Sequence, residues 1–463
     1  MNLDSIFYIS CFLPVTLALY WLMPGIKAKN WLLLLVSLLF YAFGSLTTLP
    51  ILVVCCLVNY LLGLWLRREK ASSLPLILGV VFNIAVLCAY KYLDFFLRQV
   101  LGIEGITLSW AVPIGISFFT FKSISYLVDV HRNKDLATKN FSHLLLYISF
   151  FPQVVMGPIT RFPDFLPQLH HRTHSLDATV SGLKRFVMGL AKKLVISGVL
   201  AALVNEVFKL DTGILDARLA WLGAIGYCLQ LYFDFSGYID MAIGLGWIFG
   251  FQTTENFNYP YIAPTITDFW RRWHISLSAW FKDYVYIPLG GNRKGSLRTG
   301  LHKAIVFLLC GFWHGASWTF LIWGLWHGLF SLLESTNVIP AKKLQNSKVL
   351  GHVYTLLVVC LGFVMFRAGT VSQGFTMIAT MFTGFSFTDA GTVALYRILT
   401  PEAMIMLLAG IGLSMPVLPK LQQCKPLQKF WDILSFAGTI LLFVFCIIRL
   451  ASGDFVPSIY AGF

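Results

Sequence analysis

The amino-acid sequence predicts an all-α protein that crosses a membrane several times. Of its 463 residues, 57% are hydrophobic and only 12% are charged. The mean hydropathy of +0.74 is far above that of a soluble domain. One helical crossing needs roughly 20 apolar residues, so the apolar runs predict about ten to twelve transmembrane helices, with re-entrant and interfacial helices around a central cavity.

No long polar stretch separates the apolar runs. We therefore expect a single membrane-embedded domain over residues 1–463, without an appended binding module. Within it, residues 1–140 hold the N-terminal spans, residues 141–334 the candidate catalytic core and residues 335–463 the C-terminal spans.

The formal net charge is +14, and the basic residues gather in short links between apolar runs. This is the positive-inside pattern of membrane proteins, so we expect these residues to orient the chain in a lipid bilayer and not to bind a nucleic acid. Nine cysteines are present, but the chain has no CxxC motif and no Cys/His metal spacing. The pattern supports neither a disulfide framework nor a zinc site.

Five apolar runs open the chain, at residues 5–23, 31–49, 50–66, 74–96 and 108–130. Basic links follow the first, third and fifth runs, which by parity places these links on one side of the membrane. Since basic links face the cytoplasm, we predict that the N-terminus lies outside. The first run has no basic residue before it and no small-residue cleavage site after it, so we expect a retained span and no signal peptide.

Two elements of this region carry helix breakers. The fifth run contains Pro113 and Gly115 near its start and Lys122 in its middle, so we expect its helix to face protein and not lipid. Residues 149–162 read SFFPQVVMGPITRF, an apolar run interrupted by two prolines and by Arg161. This pattern predicts a broken or re-entrant element that lines a cavity.

Two carboxylates, Asp234 and Asp240, lie in the apolar run 221–251. The run is long enough for two segments, which we expect to be hinged within residues 229–246. Each carboxylate is expected to cap a helix or to pair with a basic residue elsewhere, and direct catalysis is the alternative. Farther on, residues 349–366, 403–418 and 433–448 have the composition of plain spans.

The most distinctive stretch runs from residue 267 to residue 328. Its first half, TDFWRRWHISLSAWFKDYVYIPLGGNRKG, mixes Trp, Tyr, Arg and Lys, which is typical of a segment in the membrane interface. Its second half is apolar but contains His314. An ionisable residue at membrane depth is costly and therefore marks a candidate functional site.

Three histidines and one cysteine are the candidates for chemistry in this stretch. His314 is predicted to be a general base, because a neutral imidazole accepts a hydroxyl proton near pH 7; a structural histidine is the alternative. His274 is either a second active-site residue or a polar contact for lipid headgroups. His327 follows His314 by roughly 220° around a regular helix, so we assign it to packing. Cys310 shares a helix face with His314 and is either an acyl-cysteine nucleophile or a small hydrophobic residue.

Residues 290–295 read GGNRKG. This is not a complete phosphate-loop motif, but its glycines and cations suit a phosphorylated or CoA-type donor. We expect polar and aromatic side chains of the central stretch to bind the substrate or the donor. They are Trp313, Arg271, Arg272, Trp273, Asp283, Asn292, Arg293, Lys294, Cys310 and Trp318.

Six segments together resemble the membrane-bound O-acyltransferase family, and most closely its bacterial branch typified by the membrane subunit of alginate O-acetylation. They read LPVTLALYWLMP, PIGISFFTFKSISYLVDV, FPQVVMGPITRF, QLYFDFSGYIDMAIGLG, ENFNYPYIAPTITDFWRRWHISLSAWFKDYVYIPLGGNRKG and GFWHGASWTFLIWGLWHG. The resemblance covers nearly the whole chain and is looser after about Leu333.

The resemblance implies a helical fold with a thin waist and two opposed cavities. His314, in FWHGASW, matches the family's essential histidine, and His274 matches a second polar position upstream. The implied activity is an O-acyltransferase without a bound cofactor or metal, which takes an acetyl group from a cytoplasmic thioester, with acetyl-CoA as the expected donor. The acetyl group would pass to an extracytoplasmic SGNH-type acetyltransferase that esterifies a cell-surface or secreted polysaccharide. The expected location is the bacterial cytoplasmic membrane.

The residues themselves are compatible with this chemistry. His314 would remove the hydroxyl proton, and His274 or nearby Trp and backbone donors would polarise the thioester carbonyl. Three alternatives stay open: D-alanyl transfer to teichoic acid from a small carrier protein, a non-enzymatic polysaccharide transporter, and a scaffold that anchors an extracytoplasmic enzyme. The absence of an internal repeat between the halves of the sequence disfavours the transporter.

Overall fold

A computed structural model describes residues 2–69, 72–103, 110–293, 295–347, 349–417 and 428–453. These residues form helices joined by short turns, and none of them lies in a strand. The chain divides into two compact units. The first comprises Met1–Phe186 and Tyr238–Glu255, and the second comprises Val187–Gly237 and Asn256–Phe463.

The helices, numbered in chain order, follow one another along both units. They are α1 Leu13–Leu22, α2 Gly25–Gly44, α3 Leu49–Leu66, α4 Leu74–Leu87, α5 Leu93–Phe95, α6 Ile116–Arg132, α7 Phe141–Ser149, α8 Phe151–Val154, α9 Phe162–His170, α10 Leu176–Ala191, α11 Gly198–Phe208, α12 Ala217–Ile248, α13 Ile266–Arg272, α14 Ile275–Phe281, α15 Ser296–His314, α16 Trp318–Ser335, α17 Ala341–Asn346, α18 Leu350–Arg367, α19 Val371–Thr383, α20 Asp389–Ile398, α21 Pro401–Leu413 and α22 Gln428–Ala451. Short π-helical turns extend or join them at Tyr8–Phe12, Cys88–Tyr92, Phe96–Val100, Lys192–Ser197 and Lys282–Tyr286.

Helix α6 forms the interior of the first unit. Nearly all of its side chains are buried, including Lys122, whose ammonium donates to the carbonyl of Tyr147 at 3.0 Å and to Oε1 of Gln153 at 3.1 Å. The prediction that this helix faces protein is confirmed. Gly115 precedes it with a φ of +69°, and a Cβ there would lie 1.9 Å from the carbonyl oxygen of Val154, so only glycine fits.

The element at residues 149–162 is broken, as its prolines predict. Helix α7 ends at Ser149, α8 is a single turn from Phe151 to Val154, and α9 begins only at Phe162. The interrupted backbone is covered by protein, since most of this segment is buried. The prediction that it lines a cavity remains untested.

The predicted hinge in the run 221–251 is wrong, because α12 is one continuous helix from Ala217 to Ile248. Its two carboxylates do not break it, since each has a cationic partner within its own unit. Asp234 accepts from Lys193 at 2.6 Å, and Asp240 accepts from Arg185 at 2.9 Å. Pairing of these carboxylates with basic residues is what the sequence favoured over catalysis.

Fewer helices qualify as membrane spans than the ten to twelve expected. By length and composition, five segments of the described chain qualify: Gly25–Gly44, Leu49–Leu66, Leu74–Val100, Leu176–Phe208 and Leu350–Arg367. A sixth results if α20 and α21 count together, although they are bent by 71°, where the sequence predicted a plain span. Two other apolar helices are too short, at Tyr8–Leu22 and Ser435–Ala451, and α6 has 17 residues and carries the buried Lys122 and Asp129. The single domain and its three parts remain a prediction.

Helices α15 and α16 form a hairpin in the second unit, and the motif GASW supplies its turn. The chain becomes extended at Gly315, and Ser317 caps α16 by accepting the N–H of Thr319. The two helices touch through glycines, because a Cβ on Gly311 would lie 2.4 Å from the carbonyl oxygen of Phe320. Small residues that permit such close approach are typical of helix pairs in membranes.

Candidate active site

A cavity of about 850 Å³ lies in the second unit. Its walls come from α13, α14, the π-helical turn Lys282–Tyr286, the glycine turn that follows it, and one face of α15. These are the two halves of the stretch that the sequence singled out, and both line the same space. The cavity is large enough for part of a cofactor-sized ligand.

His314 is the last residue of α15, where the helix stops at Gly315. Its side chain lines the cavity and is 5% exposed. The imidazole packs edge-on against Trp323 at 5.2 Å and Phe366 at 5.2 Å, and lies 4.8 Å from the ring of Trp313. This aromatic surround keeps water from the imidazole and limits its rotation.

His274 lines the same cavity from the junction between α13 and α14. It is 2% exposed, and its backbone is left-handed, with φ 46° and ψ 55°. Burial lowers the pKa of His274 from 6.5 to about 3, so its imidazole is neutral at physiological pH. The ring lies 4.7 Å from that of Phe235 and 6.5 Å from that of Trp313, so Trp313 contacts both cavity histidines.

Four cations line the cavity: Arg271, Lys282, Arg293 and Lys303. No carboxylate lines it in the part of the chain that the structure describes. Within the same part, none of the four forms an ion pair; the ammonium of Lys303 donates to the hydroxyl of Ser335 at 2.9 Å. Burial lowers the pKa of Lys303, with nearby Arg271 acting in the same direction and Glu334 opposing them. Such a wall attracts a polyanionic ligand.

The glycine turn is held against α15. Gly290 and Gly291 have positive φ angles of 117° and 55°, and the N–H of Gly291 donates to the carbonyl of Tyr286 at 2.9 Å. The carbonyl of Gly291 accepts from Nδ1 of His302 at 3.0 Å. This anchoring places Asn292 and Arg293 on the cavity wall.

Helix α13 begins on the carboxylate of Glu334, which lies near the end of α16 and is buried. Oε1 of Glu334 accepts the N–H of Ile266 at 2.7 Å, and Oε2 accepts the N–H and the hydroxyl of Thr267 at 2.9 and 2.6 Å. A carboxylate at a helix N-terminus satisfies orphan N–H groups and complements the helix dipole. Glu334 thus joins the wall that carries Arg271 to the hairpin that carries His314.

The structure brings together seven of the predicted site residues. His314, His274, Arg271, Trp273, Asn292, Arg293 and Cys310 all line the cavity. Cys310 lies one turn before His314, as expected, and is buried. Their roles in chemistry or binding remain predictions.

Of the other predicted residues, the four that the structure describes do not line the cavity. Arg272 turns to the carboxylate of Asp268 at 2.8 Å, Asp283 lies in the first turn of the π-helical segment, and Trp318 is 51% exposed at the start of α16. Trp313 lies behind both histidines. Lys294 lies outside the described residues.

His327 packs as predicted, although α15 and α16 are separate helices and not one regular helix. It is fully buried among the rings of Trp270, Trp323 and Phe363. Neither ring nitrogen has a hydrogen-bond partner in the described part of the chain.

Sequence reasoning missed four residues that shape the site: Lys282, Lys303, Trp270 and Asn256. Lys282 and Trp270 lie inside the distinctive stretch, so its excess of basic and aromatic residues was the available signal. Asn256 lies in the motif ENFNYPY, which contributed to the family resemblance without indicating a role for this residue. Lys303 had no signal beyond its place in a basic link.

A cationic cavity with two buried histidines, in a helical membrane protein, is suited to an enzyme that acts on an anionic substrate. Comparison with protein families specifies the class, because residues 33–371 match the model of MBOAT, the membrane-bound O-acyltransferase family. The chain belongs to the membrane-bound O-acyltransferase family. It is therefore a multi-pass membrane protein and an acyltransferase.

Three relatives illustrate the similarity. The chain is 43% identical over 394 residues to the probable alginate O-acetylase AlgI of Pseudomonas aeruginosa, covering 82% of this chain and 75% of the relative. It is 38% identical over 496 residues to the corresponding protein of Pseudomonas putida, covering 100% of both. It is 36% identical over 414 residues to the peptidoglycan O-acetyltransferase of Helicobacter pylori, covering 81% of this chain and 78% of the relative.

Proposed function

We propose that this protein moves an acetyl group from a cytoplasmic thioester donor, acetyl-CoA, across the membrane for O-acetylation of a cell-surface or secreted polysaccharide. The observation that carries the proposal is the composition of the cavity wall. His274, His314 and four cations line the cavity, and no carboxylate among the described residues does. A donor with phosphates supplies the negative charge that this wall lacks.

The chemistry requires little beyond positioning and one base. A hydroxyl oxygen attacks the thioester carbonyl carbon, a C–O bond forms, and the C–S bond breaks. His314 takes the hydroxyl proton and returns it to the departing thiolate, so that an ester and a thiol are the products. The aromatic surround of His314 excludes water, which would otherwise compete with the hydroxyl.

The acceptor side of the proposal draws on the relatives and on the charge pattern. Two relatives are named for alginate and one for peptidoglycan, which are both sugar polymers. Transfer through an extracytoplasmic SGNH-type acetyltransferase, as the family resemblance implies, would link the cytoplasmic donor to such an acceptor. The basic links support a bacterial cytoplasmic membrane location with the N-terminus outside.

The test is acyl release from radiolabelled acetyl-CoA by purified protein in nanodiscs, comparing wild type with a folded His314→Ala variant. We expect wild-type turnover and a loss of about 10²- to 10⁴-fold in the variant, the usual contribution of a general base. If neither protein consumes acetyl-CoA, the same assay with a D-alanyl carrier protein tests the runner-up activity. Inactivity with both donors, also with an extracytoplasmic partner added, would contradict the proposal and favour a transporter or scaffold.

A further inference from the structure

Asn256 holds the segment that carries His274. It is fully buried, and it lies just before α13 in sequence while bonding to the start of α14. Its backbone carbonyl accepts the N–H of Ile275 at 2.9 Å, and its side-chain Oδ1 accepts the N–H of Ser276 at 2.8 Å. The same Oδ1 lies 3.4 Å from Nδ1 of His274, within hydrogen-bond distance. One side-chain oxygen therefore serves both the helix start and the imidazole.

These bonds determine which nitrogen of His274 carries the proton. A backbone N–H can only donate, so the Asn256 atom facing Ser276 is the amide oxygen and not the nitrogen. An oxygen can only accept, so Nδ1 of His274 must be the N–H donor. In a neutral imidazole the second nitrogen, Nε2, is then a bare lone pair.

The residue that carries this lone pair is part of the cavity wall. His274 lines the cavity, and its Nε2 is buried without a hydrogen-bond partner in the described part of the chain. The rings of Phe235 and Trp313 pack against the imidazole and restrict its rotation. A buried acceptor is normally satisfied, so an unsatisfied one beside a cavity indicates a partner that arrives with the ligand.

The backbone supports the same conclusion. In the described residues, His274 is one of three non-glycine residues with positive φ, together with Tyr259 and Asn337. A left-handed conformation costs free energy for a residue with a Cβ, and it persists where surrounding contacts impose it, often at functional sites. Asn256 supplies those contacts through the N–H groups of Ile275 and Ser276.

We propose that Asn256 is a positioning residue that makes His274 a hydrogen-bond acceptor for an N–H or O–H group of the bound substrate. This rests on the proposed acyl transfer for the identity of the substrate, but the tautomer itself does not. It also changes the role that the sequence suggested, because neutral His274 has no N–H at Nε2 with which to polarise a carbonyl. His314 takes the proton of the attacking hydroxyl, and His274 holds a second donor group.

Two substrate groups have the required chemistry. One is an amide N–H on the arm of a pantetheine-type thioester, and the other is a further hydroxyl on the acyl acceptor. Both donate to a neutral imidazole nitrogen, and both stop doing so when that nitrogen is protonated. The titratable groups that share the cavity wall with His274 are His314, Cys310, Arg271, Lys282, Tyr286, Arg293 and Lys303.

The decisive variant is Asn256→Asp. It keeps the oxygen that serves Ser276 and His274, and it removes only Nδ2, which is buried without a partner. A carboxylate beside Nδ1 stabilises the imidazolium, so Nε2 becomes protonated at a higher pH than in wild type. We expect transfer activity near the wild-type value at pH 8.5 and at least tenfold below it at pH 6. A loss that is equal at all pH values, or no loss at any pH, would overturn the proposal.

Asn140→Asp makes the same substitution at an exposed asparagine and serves as the control. Asn140 also caps a helix, since its side chain accepts the N–H of Ser142 at the start of α7, but it does not line the cavity. Its variant should follow the wild-type pH profile. Should Asn140→Asp produce the same acid loss, the effect would belong to added charge and not to His274.

A spectroscopic measurement keeps the proposal testable if Asn256→Asp does not fold. In protein labelled with ¹⁵N-histidine, the signal that His274→Asn removes should be that of a neutral ring with its proton on Nδ1. A neutral ring with its proton on Nε2 would contradict the assignment. This result does not depend on acetyl-CoA turnover, so it fails or succeeds independently of the proposed function.

The kinetic arms separate the two substrate groups. If Nε2 accepts from the donor arm, Asn256→Asp at pH 6 raises the KM for the thioester even when only its hydrolysis is followed. If Nε2 accepts from the acyl acceptor, hydrolysis is unchanged and only transfer is slowed. If Asn256→Asp at pH 6 neither raises the KM for the thioester nor slows transfer, His274 does not accept a hydrogen bond from the substrate.

Discussion

Two sets of charges in the second unit are arranged in opposite ways, one buried and the other on the wall of the cavity. Lys193 and Asp234 form an ion pair at 2.6 Å, with side chains 1% and 5% exposed. The cavity instead has Arg271, Lys303 and two further cations on its wall, without a carboxylate partner in the described residues. The first arrangement neutralises its charge within the fold, whereas the second leaves positive charge on the wall of an open cavity.

The first set of charges stabilises the fold, whereas the second is available to bind a ligand. Burying an ion is costly unless a counter-ion and hydrogen bonds compensate for it. The cavity cations need no counter-ion within the fold, because Arg271, Lys282 and Arg293 are exposed and Lys303 is half-buried, so they remain available to an anionic ligand. We therefore expect substitutions in the first set to change stability and those in the second to change binding.

The largest effect should follow from breaking the buried pair. Lys193→Met removes a buried counter-ion of the Asp234 carboxylate, and we expect a loss of about 3–5 kcal/mol in stability. Thermal or denaturant unfolding in detergent measures it. The double variant Lys193→Met with Asp234→Leu should recover most of that loss, because it removes both charges. A double variant no more stable than the single one would show that the pair is not what Asp234 requires.

The pH dependence of stability should reveal the neutral imidazole of His274. Its pKa is about 3 in the folded protein and 6.5 in a free side chain, so only the unfolded chain takes up this proton between those values. The contribution is therefore fully present above pH 6.5 and is lost as the pH falls from 6.5 towards 3. The loss is roughly 1.4 kcal/mol per pH unit.

His274→Asn is the control for this prediction, since asparagine tolerates the left-handed backbone and does not titrate. Unfolding measured from pH 7.5 to pH 5 should show a shallower dependence in the variant than in wild type. Equal slopes would mean that His274 is protonated, or solvated, in the folded protein.

Two adjacent arginines allow a cavity cation to be compared with an ion-paired cation by one substitution at each. Arg271 lines the cavity, whereas Arg272 pairs with Asp268 at 2.8 Å. Arg271→Gln should raise the KM for the anionic donor about tenfold, or about 1.4 kcal/mol, with little change in melting temperature. Arg272→Gln should leave that KM unchanged and lower the melting temperature slightly. If both substitutions changed the KM equally, a place on the cavity wall would not distinguish the arginine that binds the donor from the one that does not.

The smallest effect is expected at His327. Both of its nitrogens are buried without partners in the described part of the chain, so His327→Phe removes unsatisfied groups from an aromatic cage of similar shape. We expect unchanged activity and a melting temperature equal to or slightly above that of wild type. A clear loss of stability would indicate that a water molecule or another polar group satisfies the imidazole.

Residue type and spacing were enough to locate the site. The aromatic and basic stretch and the apolar run with His314 became the walls of one cavity, because each carries residues that neither water nor lipid accommodates alone. The helical class, the broken element at residues 149–162 and the buried face of α6 followed from hydropathy and from helix breakers. These properties are local, so a local pattern predicts them.

The properties that could not be predicted depend on distant partners. Helix α12 stays continuous because Lys193 and Arg185, 41 and 55 residues before their carboxylates, neutralise Asp234 and Asp240. Arg272 faces Asp268 while its neighbour faces the cavity, which depends on where the short helix α13 ends. Asn256 and His274, whose side chains are within hydrogen-bond distance, are 18 residues apart in sequence. No motif between them predicts that contact.

The most direct test of His314 as the base for acyl transfer compares the two buried histidines of the α15–α16 hairpin. His314 and His327 both lie among aromatic rings, but only His314 lines the cavity. Acyl transfer should be measured in single turnover with saturating thioester for His314→Phe and His327→Phe, each shown to be folded and to bind the donor. We predict that transfer is lost in His314→Phe and retained in His327→Phe. Retained transfer in a folded His314→Phe protein would contradict it.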